Sequence, residues 1–489
     1  MRFRFFRAFK PKAAVTPQDP ASLLAADEAR VAEEARQPLP EGSNWHSNGG
    51  AELEPLLAHT DVIDAAWLLQ LARGEAMPER KGVVPPWQLV PAEAKLSLST
   101  LRRTNMGLKL PVAVLSYGWA DKGHPDPTGA LLRRLIPVLE VMAGSCTRGR
   151  AKGSPDQKPA AWGIVWDFMS LPQRGYTAGY DAGADDRTPY QLARFLAGLT
   201  GINVWYGAKY TTTLVCDWPM PEGAVNAAPI EARGWCIFER RLSSVRKHAD
   251  CCLALSRMPE GKAPGDGYYQ SLEMCCRAGR LAPLAPDEYE ATLQDGMSSG
   301  AVRFTNGKDA TTVCIPQYRA GFLRLMGEGG GLSFAGCAWG DAEVRQLVAA
   351  LAFAHAEGAT TQAFALYLDR NRLTAAAIPP LAEAFERGML PGLRTLDLRN
   401  NEALGDEGAV SLAAVLSKGK LPKLEDLLIG TIGMGDTGAA ALARALGGAP
   451  ALKLLLVGGN QFGEAAAAEL KAACAACGAK AMKDRDAEL

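Results

Sequence analysis

Between residues 329 and 480 the chain repeats itself. The segments ALYLDRNRL, TLDLRNNEAL, DLLIGTIGM and LLLVGGNQF align on an apolar pair at 366/368, 396/398, 427/429 and 455/457, and LSFAGCAW is a weaker leading copy at 332/334. Successive copies lie 34, 30, 31 and 28 residues apart. An Ala/Leu-rich helical stretch such as GAVSLAAVL or GAAALARAL follows each pair. A unit of one short strand and one helix cannot bury its apolar face alone, so such copies must stack. The apolar pairs are expected to point into the stack. Asn371, Asn401 and Asn460 stand where a side-chain amide bonds the turn backbone. Ile432 takes that place in one copy, and its turn is expected to be less regular.

Upstream, short apolar runs alternate with helical ones. PVAVLSYGW (111–119), WGIVWDFMSL (162–171), YTTTLVCDW (210–218) and ADCCLALS (249–256) read as strands, and AVRFTN as a fifth. ALLRRLIPVLEVM reads as a helix kinked at Pro137, and YQLARFLAGL as one burying Leu192, Phe195, Leu196 and Leu199. Strands alternating with helices predict a parallel sheet covered on both faces. Such sheets bind ligands beyond the carboxyl ends of their strands, which directs attention to Ser116–Asp121, Asp167–Gln173, Asp217 and Trp218.

The expected organisation is therefore a disordered basic, Ala/Pro-rich segment over 1–50 and a helical extension with a proline-rich connector over 51–108. An α/β domain over 109–328, the repeats over 329–480 and a tail over 481–489 follow. In the extension, Thr60 is the expected N-cap of a helix carrying Ile63, Trp67 and Leu71 and closed by Gly74. His124 reads as a surface residue of a Pro/Asp loop.

Composition removes several classes. Net charge is zero, so non-specific attraction to nucleic acid is not expected. No apolar run approaches the ~20 residues that span a bilayer. Eleven cysteines without pattern fit buried thiols in a reducing compartment, and cytoplasmic placement is expected. The Arg/Phe start, MRFRFFRAFKPKAA, leaves organelle targeting or membrane-surface contact open. Cys474 and Cys477 form one C-x-x-C with no second ligand pair, so no metal and no cofactor are expected.

Two resemblances sharpen this. The repeats resemble leucine-rich repeats of the ribonuclease-inhibitor class, which implies a protein partner on the concave face. VAVLSYGWAD resembles the first strand of a Toll/interleukin-receptor (TIR) domain, GIVWDFMSLPQRG its second strand and following loop, and RGWCIFE its W-C-x-x-E helix. Fungal incompatibility domains carry a similar Ser-Tyr-x-Trp strand. The TIR resemblance implies a flavodoxin-like parallel sheet, self-association and, in many members, cleavage of the nicotinamide–ribose bond of NAD+ as substrate. Carried onto this chain, the catalytic acid is Glu239, with Trp235, Ser116, Tyr117, Trp119, Asp121 and Asp167 as substrate-binding residues, to which the strand-end rule adds Asp217 and Trp218.

The residues alone leave Glu239 open. It lies at the edge of the apolar stripe of Trp235, Phe238, Leu242 and Val245, four residues after Trp235. A carboxyl desolvated by that tryptophan would have a raised pKa and suit acid or cation-stabilising work. A boundary glutamate paired with Arg240 or Arg241 would not. The two functions implied are an NAD+ hydrolase active when clustered, and a non-catalytic adaptor whose repeats choose the partner.

Overall fold

The computed structural model describes residues 19–147, 160–175, 185–259, 261–262, 267–277, 279–483 and 489. Most of residues 146–160 and 174–187 fall outside these ranges, as do residues 1–18 and 484–488.

Two sheets organise the chain. The first contains β1 (Ile63–Asp64), β2 (Val112–Ser116), β3 (Gly163–Val165), β4 (Thr212–Val215) and β5 (Cys252–Ala254) in the order β1-β3-β2-β4-β5. β2 to β5 run parallel and β1 joins β3 antiparallel. β2 is buried on both faces, as a strand between helical layers must be. Val112 and Val114 enter one core with Phe238, Leu242, Tyr318 and Phe322. Ala113 and Leu115 enter the other with Trp67, Leu71, Leu135 and Leu272.

The second sheet is parallel and sequential: β6 (Gly329–Ser333), β7 (Gln362–Tyr367), β8 (Thr395–Asp397), β9 (Asp426–Leu428), β10 (Leu454–Leu456) and β11 (Lys480–Met482). Leu332, Leu366, Leu396, Leu427 and Leu455 are in register and fully buried. The asparagines form a ladder between turns. Asn401 Nδ2 donates to Leu368 O at 3.0 Å and Leu398 O at 2.9 Å, and its Oδ1 accepts from Leu373 N at 3.1 Å. Asn371 and Asn460 repeat this pattern. Asn401→Ala strands those buried groups together, and is expected to lower the urea-unfolding free energy by about 3 kcal/mol.

Several expectations need correction. The turn at Ile432 is as regular as its neighbours: Thr431 keeps φ 56°, matching Arg370 and Asn400 at 57°. The Ile432 carbonyl accepts from Gly405 N at 2.8 Å, so the backbone itself supplies a cross-turn bond. Residues 20–50 are ordered structure, not a disordered segment. Pro20–Arg36 is a helix, and Trp45 is fully buried with its indole N–H on Glu54 Oε1 at 3.0 Å. Residues 51–108 supply β1 and part of the core, so they belong to the first sheet's domain. The helix there is Ala65–Ala72, N-capped by Asp64, with Ile63 in β1. Residues 480–482 close the second sheet instead of starting a tail.

AVRFTN is not a strand. It makes one bridge, Arg233 to Arg303, while Phe304 packs so closely on Gly234 that a Cβ there would sit 2.1 Å from its ring. WGIVWDFMSL leaves the sheet after Val165 and turns into the short helix Asp167–Ser170. In the helix Pro189–Thr200, Leu192 and Leu196 are exposed and Arg194 and Gly198 are buried. The reason is polar: Arg194 Nη1 donates to Ala58 O at 2.6 Å and its guanidinium pairs with Asp27 and Asp61. The Ala130–Thr147 helix continues through Pro137.

Candidate functional site

The chain leaves β2 for β3 on one side and reaches β4 on the other, so the strand order reverses at the carboxyl end of β2. Ser116 is the last residue of β2 and is fully buried. Glu239 arrives from the Gly234–Arg246 helix, which anchors itself through Phe238, Leu242 and Val245. Its carboxyl faces the hydroxyls of Ser116 and Tyr206, with the Asp167 carboxyl nearby.

Glu239 Oε2 and Ser116 Oγ are both buried without a hydrogen-bond partner. The Tyr206 proton is committed to Leu115 O at 2.5 Å, so Tyr206 offers Glu239 only a lone pair. Burial holds the Glu239 carboxyl well above the usual carboxylate range; Ser116 eases this and the charge of Asp167 adds to it. Glu239 is therefore a buried carboxyl whose neutral form is favoured, not a solvated glutamate paired with arginine. The neighbouring Arg240 pairs instead with Glu231 at 2.8 Å.

Asp167 begins the turn after β3 and accepts from Tyr117 OH, from Phe168 N at 2.6 Å and from Trp119 Nε1 at 3.3 Å. Burial raises its carboxyl in spite of these donors. Tyr117 lies edge-on to Trp166 and Trp119 edge-on to Phe168, at 5.5 and 5.7 Å between centroids. Ser116, Tyr117, Trp119, Asp167 and Glu239 thus form one cluster.

The other expected residues lie apart. Trp235 turns its indole N–H to Asp309 Oδ2 at 3.0 Å and packs edge-on to Phe238, so the expected tryptophan pocket gives way to burial at the sheet end. Asp121 caps its own turn, accepting from Gly123 N at 2.9 Å. Asp217 holds Ser256 through its N at 2.9 Å and its Oγ at 2.7 Å. Trp218 lines a shallow hollow with Tyr117, Gly118 and Cys216; Glu239 is not in its walls. His124 is buried, with Nε2 on Val84 O at 3.1 Å and Nδ1 accepting from Asp126 N, and burial lowers its pKa to about 4.

Arg233 and Tyr206 were not legible beforehand. Arg233 donates to Trp119 O at 2.6 Å and to Ala228 O and Asn226 O, both at 2.9 Å, tying the 116–121 loop to the 226–228 loop. Its guanidinium lies on Gly118, where a Cβ would meet Nε at 2.7 Å. The Gly118→Ala variant is expected to loosen this clasp, read as faster hydrogen exchange at 118–121. Cys236 directs its thiol to Tyr117 O at 3.1 Å, and burial pushes its pKa up. The eleven cysteines all lie among the described residues and none is in a disulfide. No group of His, Cys, Asp and Glu among the described residues could hold a metal ion. No helix among them is long and apolar enough to cross a membrane.

No protein-family model matches the chain, and no curated protein matches it.

Proposed function

We propose that the first sheet's domain is a TIR-like enzyme that cleaves the nicotinamide–ribose bond of NAD+, and that the second sheet is a leucine-rich-repeat solenoid taking a protein partner. The observation that carries the enzymatic reading is the buried Glu239 carboxyl meeting Ser116 at the end of β2, where the strand order reverses. The in-register leucines, the sequential parallel order and the asparagine ladder support the repeat reading.

The chemistry asks little of the protein. Nicotinamide in NAD+ is cationic and leaves as a neutral base with the electrons of the C–N bond. The ribosyl cation left behind is stabilised by the Glu239 carboxylate, as carboxylates do in other glycosyl cleavages. Water then adds to the ribosyl carbon and gives its proton to that carboxylate. At rest burial favours the protonated form of Glu239, and the arriving pyridinium charge favours loss of that proton to solvent. Tyr117 and Trp119 are tied to Asp167 in this state, so the 116–121 loop must shift to admit substrate. Clustering of several chains is the proposed trigger.

The test is nicotinamide release from NAD+ by the full chain, concentrated and crowded, against Glu239→Gln. Release by the wild type alone supports the reading. A folded, crowded wild type that leaves NAD+ intact favours the second reading, a non-catalytic adaptor. The bond from Trp235 to Asp309 and the burial of the Glu239 carboxyl support that alternative.

A further inference from the structure

Away from Glu239, the amino ends of β4 and β5 and the first repeat strands enclose a groove of about 900 Å³. That is the size of a small-molecule site. Each of its carboxylates lies within ion-pair distance of an arginine, with Glu52 and Glu328 sharing one. Asp250 pairs with Arg277, Asp369 with Arg370, Asp397 with Arg399, and Glu52 and Glu328 with Arg324. Lys209 is not matched. Among the described residues its ammonium has no carboxylate within ion-pair distance and makes no hydrogen bond; it lies 5.0 Å from the Tyr210 ring centroid.

The floor of the groove is glycine. β6 opens with Gly329, Gly330 and Gly331, and Gly330 has φ 100°. A Cβ on Gly330 would meet Lys209 Nζ at 2.8 Å, and one on Gly331 would meet the Tyr367 ring at 3.1 Å. The bare backbone is what lets Lys209 and Tyr367 face the groove. A second cation stands behind. Arg246, fully buried, donates to Gly329 O at 2.5 Å and Thr361 Oγ1 at 3.2 Å, while its Nε has no partner. Burial and the Arg246 charge bring the Lys209 pKa down to about 8, with the Glu328 charge acting against them. Tyr210, Tyr367 and the half-exposed Phe364 add aromatic surface.

We infer that this groove binds a small organic phosphate of mononucleotide size, with its phosphate on Lys209 and its ring against the tyrosines. A lysine ammonium is a point charge suited to phosphate, and aromatic side chains accept any base face. The inference does not depend on cleavage of NAD+.

The test is calorimetric titration of the full chain with AMP, adenosine, inorganic phosphate and isophthalate, repeated on Lys209→Gln and Lys209→Arg. Lys209 is only partly buried, so both variants should fold; circular dichroism checks this. AMP is expected to bind the wild type and Lys209→Arg, and to bind Lys209→Gln about tenfold to a hundredfold more weakly. Adenosine and phosphate alone are expected to bind more weakly than AMP. The site assignment fails if AMP does not bind the wild type, or binds Lys209→Gln equally well. Adenosine equal to AMP removes the phosphate from the proposal, phosphate equal to AMP removes the ring, and isophthalate equal to AMP turns the assignment from phosphate to carboxylate.

Discussion

Replacing Glu239 by glutamine is expected to stop nicotinamide release and, at neutral pH, to make the protein more stable. Both effects come from one observation, a carboxyl buried against Ser116 with Oε2 unpartnered. For catalysis, the amide cannot carry the negative charge that meets the ribosyl cation. The loss should be at least about a thousandfold, the upper end for removing one electrostatic contact to a transition state. For stability the sign follows from the proton. The folded-state pKa is raised above the ordinary 4.5, so the native protein keeps a proton that the unfolded chain has released. The Glu239 contribution to wild-type stability is therefore fully present below pH 4.5 and is lost as pH rises towards the folded-state value. Glutamine removes that loss. Urea unfolding from pH 4 to pH 8 should show the two proteins converging at the acid end and the variant ahead at the neutral end. Parallel curves across the range would show that Glu239 titrates as an exposed carboxyl. The same shift places the ascending limb of kcat/KM for NAD+ above the usual carboxylate range, because the ionised form is the reactive one.

How far these features were legible depended on whether they are local in the chain. The repeat strands were readable because each carries its own apolar pair, and the burial of Leu366, Leu396, Leu427 and Leu455 follows that spacing. The four parallel strands of the first sheet were readable for the same reason: β2 and β4 are short apolar or β-branched runs. What failed depended on partners distant in sequence. The buried face of Pro189–Thr200 is set by Arg194, whose partners Asp27, Ala58 and Asp61 lie more than a hundred residues away. AVRFTN has a strand's composition, yet Arg303 bonds to Ala232 and Gly234 while Val302 N turns back to Gly296 O. At the site, Glu239, Ser116 and Asp167 stand where strand ends and a helix turn place them. Trp235 was misplaced because helical spacing fixes a face but not which way an indole turns, and Asp309 decides that. Arg233 gives no local signal at all, since its three acceptors are loop carbonyls.

Arg280→Ala is expected to loosen the joint between the two sheets, lowering the unfolding free energy by about 3 kcal/mol. Arg280 is buried, and donates to Ser333 O at 2.6 Å in β6 and to Ser244 O at 3.1 Å in the Gly234–Arg246 helix. Its guanidinium lies over the Phe334 ring at 4.6 Å, and its carbonyl receives Trp339 Nε1 at 2.8 Å. Among the described residues no carboxylate is within ion-pair distance of it, so its worth lies in those two carbonyls and that ring. Removing the side chain leaves two buried acceptors unpaired and a gap against Phe334. Methionine at the same position fills the gap but restores neither bond. The cost in Arg280→Met should therefore remain more than half that in Arg280→Ala. If methionine instead recovers nearly all of it, packing on Phe334 is what joins the sheets. The wild type should unfold in one transition, because Phe238, Leu242 and Val245 share a continuous core with Leu332 and Phe334. With Arg280→Ala, calorimetry should show a broader transition as the repeats begin to unfold separately. The Gly234–Arg246 helix carries Glu239 at its middle and is held to β6 at its carboxyl end, so that joint links the second sheet to the helix that bears the acid.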